Sequence, residues 1–342
     1  MITARYHDSV NVLQEMFAAP ACEIKPRAPF DRAEWYELLA QSGLTPLVAT
    51  ACDGDRRAAL VLEEHAGAMT SFRNWYSFTW RPIAPTNPAG DALIEAIASK
   101  LRNRAHRVTL APIPEEDGCA TRLAKAFAHA GWRVEVSVCD TNHVVQVAGR
   151  SFEDYWRTRP GALRNTLRRK ADKVHVTVHD RFDKSVWKAY QDVYAASWKP
   201  REGGSEMLRA FAAQEGAAGR LRLGLADHEG QTVAAQFWTV EGGFAYIHKL
   251  AHLESHRHLS AGTILSAAMF RHAIDEDAVQ EIDFGTGDEP YKRDWMEQTR
   301  PRFQIDCLDM TSLRAWIDLA RLAASRLRDN ATPALARLPA ES

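Results

Sequence analysis

The side chains best suited to move a proton lie together after one predicted strand. That strand ends in Asp283-Phe284-Gly285, a Gly-Thr-Gly turn covers residues 285–287, and Glu289, Tyr291 and Lys292 come next. A carboxylate can accept the proton that an attacking amine loses, and a tyrosine can return one to a leaving group. Because pockets open at the carboxyl ends of strands in sheets covered by helices, we expect these side chains to border one pocket.

Within this group we rank Glu289 and Asp283 first for proton handling, Tyr291 next and His248 last. His248 lies on a predicted strand, where a buried and hydrogen-bonded histidine is commoner than a general base. Lys292 can pair with Asp283 or hold a phosphate or carboxylate of an acceptor. The structural alternative for the whole segment is a capped, salt-bridged turn without a catalytic role.

A second group of residues can bind an anion. A predicted β-meander runs into a short loop that contains Arg257-x-x-Ser260-x-Gly262, with Ala261 and Thr263 completing the entry into an apolar helix. Small residues at a helix start leave unpaired backbone N–H groups and the positive end of the helix dipole facing one point, which suits a pyrophosphate. Serine and glycine before a helix are equally an ordinary cap, so the loop alone leaves both interpretations open.

Together, the loop and the segment after the strand resemble two motifs of the GNAT acyltransferases. The loop differs by one substitution, Ser260, from the Arg/Gln-x-x-Gly-x-Gly/Ala loop with which these enzymes hold the diphosphate of acyl-CoA. The segment 283–292 resembles the Asp-x-Gly…Tyr-Lys segment of a branch that contains the CelD-like acyltransferases, associated with cellulose biosynthesis, and the Fem-type peptidoglycan aminoacyltransferases. The run 260–263 is similar to the Ser-Pro-Gly of that branch, with Ala261 in place of proline, and the detailed resemblance covers roughly residues 145–300.

The resemblance implies an enzyme that moves an acyl group, acetyl above all, from a CoA thioester to an amine by direct attack and without a metal. It implies that Arg257 and residues 260–263 hold acyl-CoA at the helix start. It also implies that backbone groups near Leu250 and Ala251 bind pantetheine and the thioester oxygen, if their strand diverges from its neighbour in the sheet. Many of these enzymes place a tyrosine near the position of Tyr291, where it protonates the departing thiolate.

A cationic helix is predicted between the two halves of the chain. Leu163 and Leu167 recur at helical spacing from residue 162 onward, so Arg164, Arg168 and Arg169 are expected on the solvent side. These arginines either form an ordinary solvated face or clamp the phosphates of CoA or of an anionic acceptor. The segment resembles the Arg-rich helix of the CelD-like enzymes, which favours the second interpretation.

The order of predicted elements is the same in both halves of the chain. Each half shows three strands, a helix, a strand, a second helix and a strand. We therefore predict an α/β (α+β) fold of tandem GNAT-like domains, with mixed central sheets flanked by helices. Residues 1–145 are expected to form a degenerate first domain, and residues 146–342 a catalytic domain with a C-terminal helix. The Fem-type resemblance implies such a pair independently.

The first half lacks the anion-binding loop. Its corresponding segment is Thr-Asn-Pro-Ala-Gly at residues 86–90, in which Asn87 and Pro88 suit a helix cap and first turn but the proline removes one N–H donor. No Arg-x-x-Gly precedes this segment, so we expect no cofactor binding by the first half. The alternating aromatic stretch at residues 68–83 is predicted to be the third strand of this half.

The overall charge predicts no general attraction to polyanions. The chain has 342 residues, with 43 Lys and Arg against 44 Asp and Glu and a formal net charge of −1, so we expect neither nucleic acid nor an anionic membrane as a partner. No segment like a signal peptide opens the sequence, and no run of apolar residues is long enough to span a bilayer. A cytoplasmic protein is therefore predicted.

The cysteine and histidine patterns predict neither a disulfide framework nor a metal site. The cysteines are scattered and form no Cys-x-x-Cys, at positions 22, 52, 119, 139 and 307. Histidines crowd together at positions 248, 252, 256 and 258, but no HExxH or carboxylate triad lies nearby. No bound metal is expected.

Three functions remain open at this point. The preferred one is an acyl-CoA-dependent N-acyltransferase that acts on a small-molecule or saccharide-linked amine. The second is a Fem-type aminoacyl-tRNA-dependent transferase, which the near-neutral charge and the absence of a predicted coiled-coil insertion disfavour. The third is a non-catalytic binding protein with degenerate GNAT domains, which the retention of Arg257, Gly262 and the segment 283–292 disfavours.

Overall fold

The protein is built on a mixed β-sheet flanked by helices, which confirms the predicted fold class. The computed structural model describes residues 1–18, 26–200 and 202–321. In this part of the chain the strands are β1 (Thr3–His7), β2 (Leu47–Asp53), β3 (Arg56–His65), β4 (Ala68–Ser71), β5 (Arg107–Ile113), β6 (Arg133–Gln146), β7 (His175–His179), β8 (Leu221–His228), β9 (Gln231–Glu241), β10 (Phe244–His252), β11 (Glu281–Thr286) and β12 (Gln298–Leu308). The helices are α1 (Asn11–Ala18), α2 (Ala33–Gln41), α3 (Pro88–Leu101), α4 (Cys119–His129), α5 (Phe152–Arg157), α6 (Gly161–Lys170), α7 (Lys184–Ala195), α8 (Ser205–Ala217), α9 (Ala261–Arg271) and α10 (Lys292–Trp295).

The ends of the described chain bear on two of the predictions. Residues 313–321 are helical, and the remainder of the predicted C-terminal helix lies outside the described residues, as does Cys22. No helix in the described ranges combines the length and the apolar character needed to cross a bilayer.

The strands form one sheet whose two halves mirror each other in connectivity. The order across the sheet is β1-β2-β3-β4-β5-β12-β6-β11-β10-β9-β8-β7. Read inward from either edge, three antiparallel pairings lead to one parallel pairing, β4 with β5 in the first half and β10 with β11 in the second. The last strand of each half lies across the centre, because β12 separates β5 from β6 and β6 separates β12 from β11. The division of domains between residues 145 and 146 stays a prediction, and the sheet is continuous across it.

The parallel pair in the second half separates after a short stretch. Its register ends where Tyr246 faces Asp283. Beyond this point β10 continues beside β9 as far as His252, with a register shift between Ile247 and Lys249, while β11 continues beside β6. A bulge of this kind bends a strand and increases its twist. The divergence leaves a V-shaped gap between β10 and β11.

The parallel pair in the first half also ends after three residue pairs, but there the gap is filled by the chain itself. The backbone N–H of Trp80 donates to the carbonyl of Pro112 at 2.8 Å, beside the end of β5. Ile83 bridges to Ala59 of β3, and Ser71 Oγ accepts the N–H of Ala111 at 2.9 Å. The irregular segment 72–83 therefore occupies the space that stays open in the second half.

The predicted strand over residues 68–83 is wrong for most of its length. Only Ala68–Ser71 is a strand, and the aromatic residues that follow lie on the irregular plug. Phe72 and Trp80 are buried there, and the Trp80 indole donates to the carbonyl of Val61 at 3.0 Å. The alternation of aromatic and polar residues therefore reflects burial of a plug against the sheet.

Contacts between α2 and α8 tie the first half to the second near the gap. Arg32 precedes α2 and forms a buried ion pair with Glu215 of α8 at 2.8 Å. Trp35 packs edge-on against Phe211, with ring centres 5.0 Å apart. These contacts hold elements of both halves around the bulged part of β10.

Candidate active site

A cavity of about 410 Å³ lies where β10 and β11 diverge and extends to the start of α9. Leu250 of β10 and Phe284 of β11 line it from the two sides of the gap. The loop before α9 contributes five predicted residues, Arg257, Ser260, Ala261, Gly262 and Thr263. Leu163, Trp198, Tyr291 and Trp295 close other walls, together with His252, Ser266 and Asp294. The structure thus brings the predicted anion-binding loop and the gap into one space.

Ser260 gives the helix start an uncapped geometry. It precedes the first residue of α9 with φ of 59°, in the left-handed region that favours glycine, and its side chain does not cap the helix. The first N–H groups of a helix have no partner within it. The Ser260 hydroxyl and the His258 carbonyl instead accept hydrogen bonds from Lys170 Nζ, at 3.0 and 2.7 Å. Lys170 therefore holds the loop from outside and leaves the helix end open to the cavity.

The other loop residues differ in what they offer a ligand. Arg257 is exposed at the cavity, and its guanidinium makes no hydrogen bond or ion pair with any described residue. A side chain at Gly262 would begin 3.3 Å from the His252 ring, so glycine keeps this wall thin. Ala251, predicted to help bind the cofactor, is buried and does not line the cavity, whereas Leu250 does.

The predicted cationic helix is α6, and only its apolar and terminal residues reach the cavity or the loop. Leu163 lines the cavity, and Lys170 bonds the loop. Arg164, Arg168 and Arg169 are exposed and line none of the cavities near the gap. The helix and its amphipathic pattern are confirmed, and the three arginines lie on the solvent side of an element next to the cavity.

Asp283 is buried in a polar network and does not line the cavity. Its Oδ1 accepts hydrogen bonds from Asn142 Nδ2 at 2.6 Å and from the N–H of Gly285 at 2.7 Å, and its Oδ2 pairs with Arg300 at 3.0 Å. Both oxygens are thus engaged, which disfavours the high rank given to Asp283 as a proton acceptor. Gly285 has φ of 69°, and a side chain there would meet the Phe78 ring at 2.8 Å. Asp283 therefore stabilises this tight turn, as in the alternative interpretation of the segment as a structural turn.

Glu289 borders the gap and carries an ionised carboxylate. Its Oε2 lies 2.9 Å from Lys292 Nζ. Burial raises the pKa of Glu289, but the hydrogen bond and the charge of Lys292 outweigh burial and hold the pKa below its usual value. A carboxylate that is ionised at neutral pH and half-exposed at the gap can accept a proton.

Lys292 is a buried anchor of the turn. Its ammonium donates to the carbonyl of Thr286 and, at 3.1 Å, to that of Gly287, in addition to pairing with Glu289. Of the two roles offered for Lys292, the pairing with Asp283 does not form, because the ammonium bonds the turn and Glu289.

Tyr291 reaches the cavity and the cleft beyond it. Its ring packs edge-on against Phe284, with centres 5.7 Å apart, and its hydroxyl makes no hydrogen bond with the described residues. Burial, reinforced by the charge of Glu289, raises the pKa of Tyr291 well above its usual value. The hydroxyl therefore stays protonated and can act as a donor.

His248 sits at the bulge of β10 and is enclosed by aromatic rings. Its Nε2 lies 2.8 Å from Thr239 Oγ1, and the Phe237 ring stacks 4.9 Å away. Burial, with smaller effects of Lys249 and Arg32, lowers the pKa of His248 to about 3. His248 is therefore neutral near pH 7, as expected for the buried, hydrogen-bonded alternative. In residues 1–18, 26–200 and 202–321, no cluster of His, Cys, Asp and Glu suits a metal ion.

The gap continues into a cleft bordered by two lysines that the sequence analysis did not single out. A space of about 140 Å³ and then a cavity of about 810 Å³ follow, both bordered by Lys199, Lys249, Glu289 and Tyr291. The one available signal was Lys249, a charged residue inside the otherwise apolar strand pattern of β10. Lys199 follows β7 and α7 in a segment without periodicity, which gave no signal.

Comparison with known proteins gives a domain match and several related folds. The model of the acetyltransferase (GNAT) domain matches residues 157–293. Crystal structures of similar fold include FemX, at 10% identity with TM-score 0.62, covering 89% of this chain and 96% of FemX. They also include a conserved protein of unknown function from Bacteroides thetaiotaomicron, at 12% identity with TM-score 0.60, covering 90% of this chain and 100% of that one. The C-terminal domain of a putative lysylphosphatidylglycerol synthetase from Agrobacterium fabrum has 12% identity and TM-score 0.56, covering 84% of this chain and 92% of that domain. A search of curated proteins found no match.

Proposed function

We propose that the protein is an acyl-CoA-dependent N-acyltransferase whose site is the gap between β10 and β11. One observation carries the proposal: the two strands part after three residue pairs, and the opening leads directly to an uncapped helix start. Backbone groups on the gap side of β10 lack a strand partner, so they can pair with an extended, amide-containing ligand. The match of residues 157–293 to the acetyltransferase (GNAT) domain supports the same assignment.

The residues at the helix start fit the diphosphate of CoA. The first N–H groups of α9 and the free guanidinium of Arg257 supply donors and positive charge on one side of the cavity. The absence of a side chain at Gly262 leaves room for a phosphate close to the backbone. Acyl-CoA would supply the activated acyl group.

The residues beyond the gap fit the transfer step. Glu289 takes the proton that the amine loses as it attacks, because its carboxylate is ionised and borders the gap. Tyr291 donates its hydroxyl proton to the departing sulfur, because its raised pKa keeps the hydroxyl protonated and the hydroxyl has no partner among the described residues. Lys292 keeps Glu289 ionised and the turn in place and is a positioning residue.

Calorimetry with CoA and acetyl-CoA tests the proposal. The wild type should bind both, and Gly262→Leu should abolish binding, because the added side chain fills the wall next to the helix start. Ala89→Leu is the matched control at the second residue of α3, where no CoA site is expected. The absence of heat and of a thermal shift at millimolar CoA would refute the proposal and leave an aminoacyl-tRNA donor or a non-catalytic binding role.

A further inference from the structure

The wider cavity of about 810 Å³ lies on the acceptor side of the gap. It shares Glu289 and Tyr291 with the space between the strands, so a molecule in it can reach the proposed proton acceptor. Its walls are aromatic, with Trp75, Tyr76 and Trp198 all lining it. A ligand of moderate size with a flat or apolar part fits such walls.

Lys249 points a cation into this cleft without an anionic partner. It lies on β10 directly after the bulge, and its ammonium is 4.5 Å from the ring centre of Tyr76 and 5.3 Å from that of Tyr194. Its ammonium forms no hydrogen bond or ion pair with any described residue, although the side chain is half-buried. The aromatic faces and the more distant charge of Glu202 offset part of the cost of its burial, but burial still lowers the pKa of Lys249.

Lys199 presents a second cation to the same cleft. Its ammonium lies 5.7 Å from the Trp198 ring centre and likewise has no hydrogen-bond or ion-pair partner among the described residues. Burial, followed by the charge of Lys249, lowers the pKa of Lys199 to about 8. Two half-buried ammonium groups that repel each other are an unfavourable arrangement unless an anion joins them.

The neighbouring carboxylates are engaged elsewhere. Glu202 accepts a hydrogen bond from the Tyr190 hydroxyl at 2.9 Å, and burial raises the pKa of Glu202. Glu289 pairs with Lys292 at 2.9 Å. Neither carboxylate is within ion-pair distance of Lys199 or Lys249, so the two lysines remain available to a ligand.

We propose that the acceptor is an amine that also carries a carboxylate or phosphate group, and that Lys199 and Lys249 bind this anionic group. The inference rests on the proposed function for the identity of the reacting amine. Glu289 and the two lysines border the same connected spaces, so one molecule can present its amine to Glu289 and its anion to the lysines. This arrangement would select anionic amines against neutral ones of the same shape.

Binding of matched ligand pairs tests the inference without requiring turnover. N-acetylphenylalanine and N-acetylglucosamine 6-phosphate supply the carboxylate and the phosphate, and N-acetylphenethylamine and N-acetylglucosamine are their neutral counterparts. By calorimetry on the full chain, at least one charged ligand should bind about tenfold or more tightly than its neutral counterpart. The pair that shows the difference identifies the anionic group.

Substitution of the lysines locates the difference. Lys249→Met and Lys199→Met keep most of the length of the side chain and remove its charge, so each should reduce the preference for the charged ligand and leave the binding of the neutral ligand unchanged. Lys188→Met is the control, because Lys188 is exposed on α7 and pairs with Asp192 at 2.6 Å. A preference that is absent in the wild type, or that persists in both cleft variants, would overturn the inference. CoA binding, measured separately on the same samples, tells whether the proposed function itself has failed.

Discussion

The starts of α3 and α9 occupy corresponding places in the two halves but satisfy their backbone groups in opposite ways. At α3 the Asn87 side chain accepts the N–H of Gly90 at 3.0 Å, and Pro88 removes a further donor. Arg122 donates to the carbonyl of Pro85 at 2.8 Å beside this start. At α9 no side chain caps the helix. The comparison teaches that the order of elements places a helix start beside the sheet in each half, and that local chemistry decides whether its first N–H groups stay open.

The gaps beside these helices differ in the same sense. In the first half, residues 72–83 hydrogen-bond to β3 and β5 at separate points and fill the space. A side chain at Gly90 would begin 2.0 Å from the Pro85 carbonyl oxygen, so backbone packs directly on backbone there. In the second half a cavity of about 410 Å³ occupies the corresponding place. The first half is packed for stability, and the second half keeps unpaired groups that a ligand can use.

The largest expected effect is a loss of turnover that depends on which carboxylate is changed, Glu289 after β11 or Glu115 after the corresponding strand β5. Glu289→Gln should lower kcat by ~10² to 10⁴-fold with CoA affinity unchanged, because the variant cannot accept a proton. Glu115→Gln is the control, since Glu115 accepts the N–H of Thr121 at 3.0 Å at the start of α4 and should not affect turnover. Steady-state kinetics and calorimetry measure both quantities. A fully active Glu289→Gln enzyme would contradict the role given to Glu289.

The next effect separates the arginines beside the two helix starts. Arg257→Ala should weaken CoA binding by about tenfold or more with unchanged melting, because a charge-assisted phosphate contact contributes about 1.5–3 kcal/mol. Arg122→Ala should lower the melting temperature and leave CoA affinity unchanged, because Arg122 pairs with Asp91 at 2.6 Å and bonds the Pro85 carbonyl. Calorimetry and thermal denaturation of both variants reveal the difference. Equal CoA affinity in wild type and Arg257→Ala would remove the contrast between the two starts.

A smaller effect concerns α6, an element next to the open cavity. Alanine at positions 164, 168 and 169 together should leave the melting temperature nearly unchanged, since exposed charges contribute little to folding. The triple variant should nevertheless bind CoA or an anionic acceptor several-fold more weakly than wild type, because the helix supplies long-range positive charge. The loss of affinity should be larger at low ionic strength. Unchanged kinetics at every salt concentration would show that the arginines only solvate the surface.

The sequence predicted elements and motifs better than it predicted which side chains face the ligand. The loop from Arg257 to Thr263 and the amphipathic α6 are where the pattern indicated, because both are local features of the chain. Asp283 looked equivalent to Glu289 in sequence, yet Asn142 and Arg300, distant along the chain, engage it. Such partners cannot be read from spacing. The strands that part after Tyr246 likewise depend on how β6 and β9 compete for pairing.

The irregular segment in the first half also shows that a local pattern does not determine backbone pairing. Residues 72–83 alternate aromatic and polar side chains, the pattern of a strand, and they do pack on the sheet. Their backbone meets β3 and β5 only at separate points, such as Ile83 and Trp80, so they do not form a ladder. The acceptor-side lysines were missed because Lys199 and Lys249 come together only through the fold.

The smallest expected effect compares the residues that precede the two helices. Asn87→Ala should lower the free energy of unfolding by about 1 kcal/mol, the usual cost of a lost N-cap, without changing CoA affinity. Ser260→Gly removes the strain of a left-handed backbone at a residue with a side chain, but it also loses the hydrogen bond from Lys170. The two effects are of similar size and opposite sign, so the stability of the variant should stay within about 1 kcal/mol of wild type. Chemical denaturation measures both. A large loss of stability in Ser260→Gly would mean that the Lys170 contact dominates the loop.

The exchange of central strands has a consequence for how the protein is made. The chain leaves the ribosome from its N-terminus, so β5 emerges long before β12, the strand that must lie beside it. Until residues 298–308 are synthesised, one edge of β5 stays unpaired and open to pairing with another chain. A nascent chain that stops before residue 298 therefore lacks the strand that pairs with β5 of the first half. The sheet of the first half can therefore be completed only late in translation, when the last strand of the second half has been synthesised.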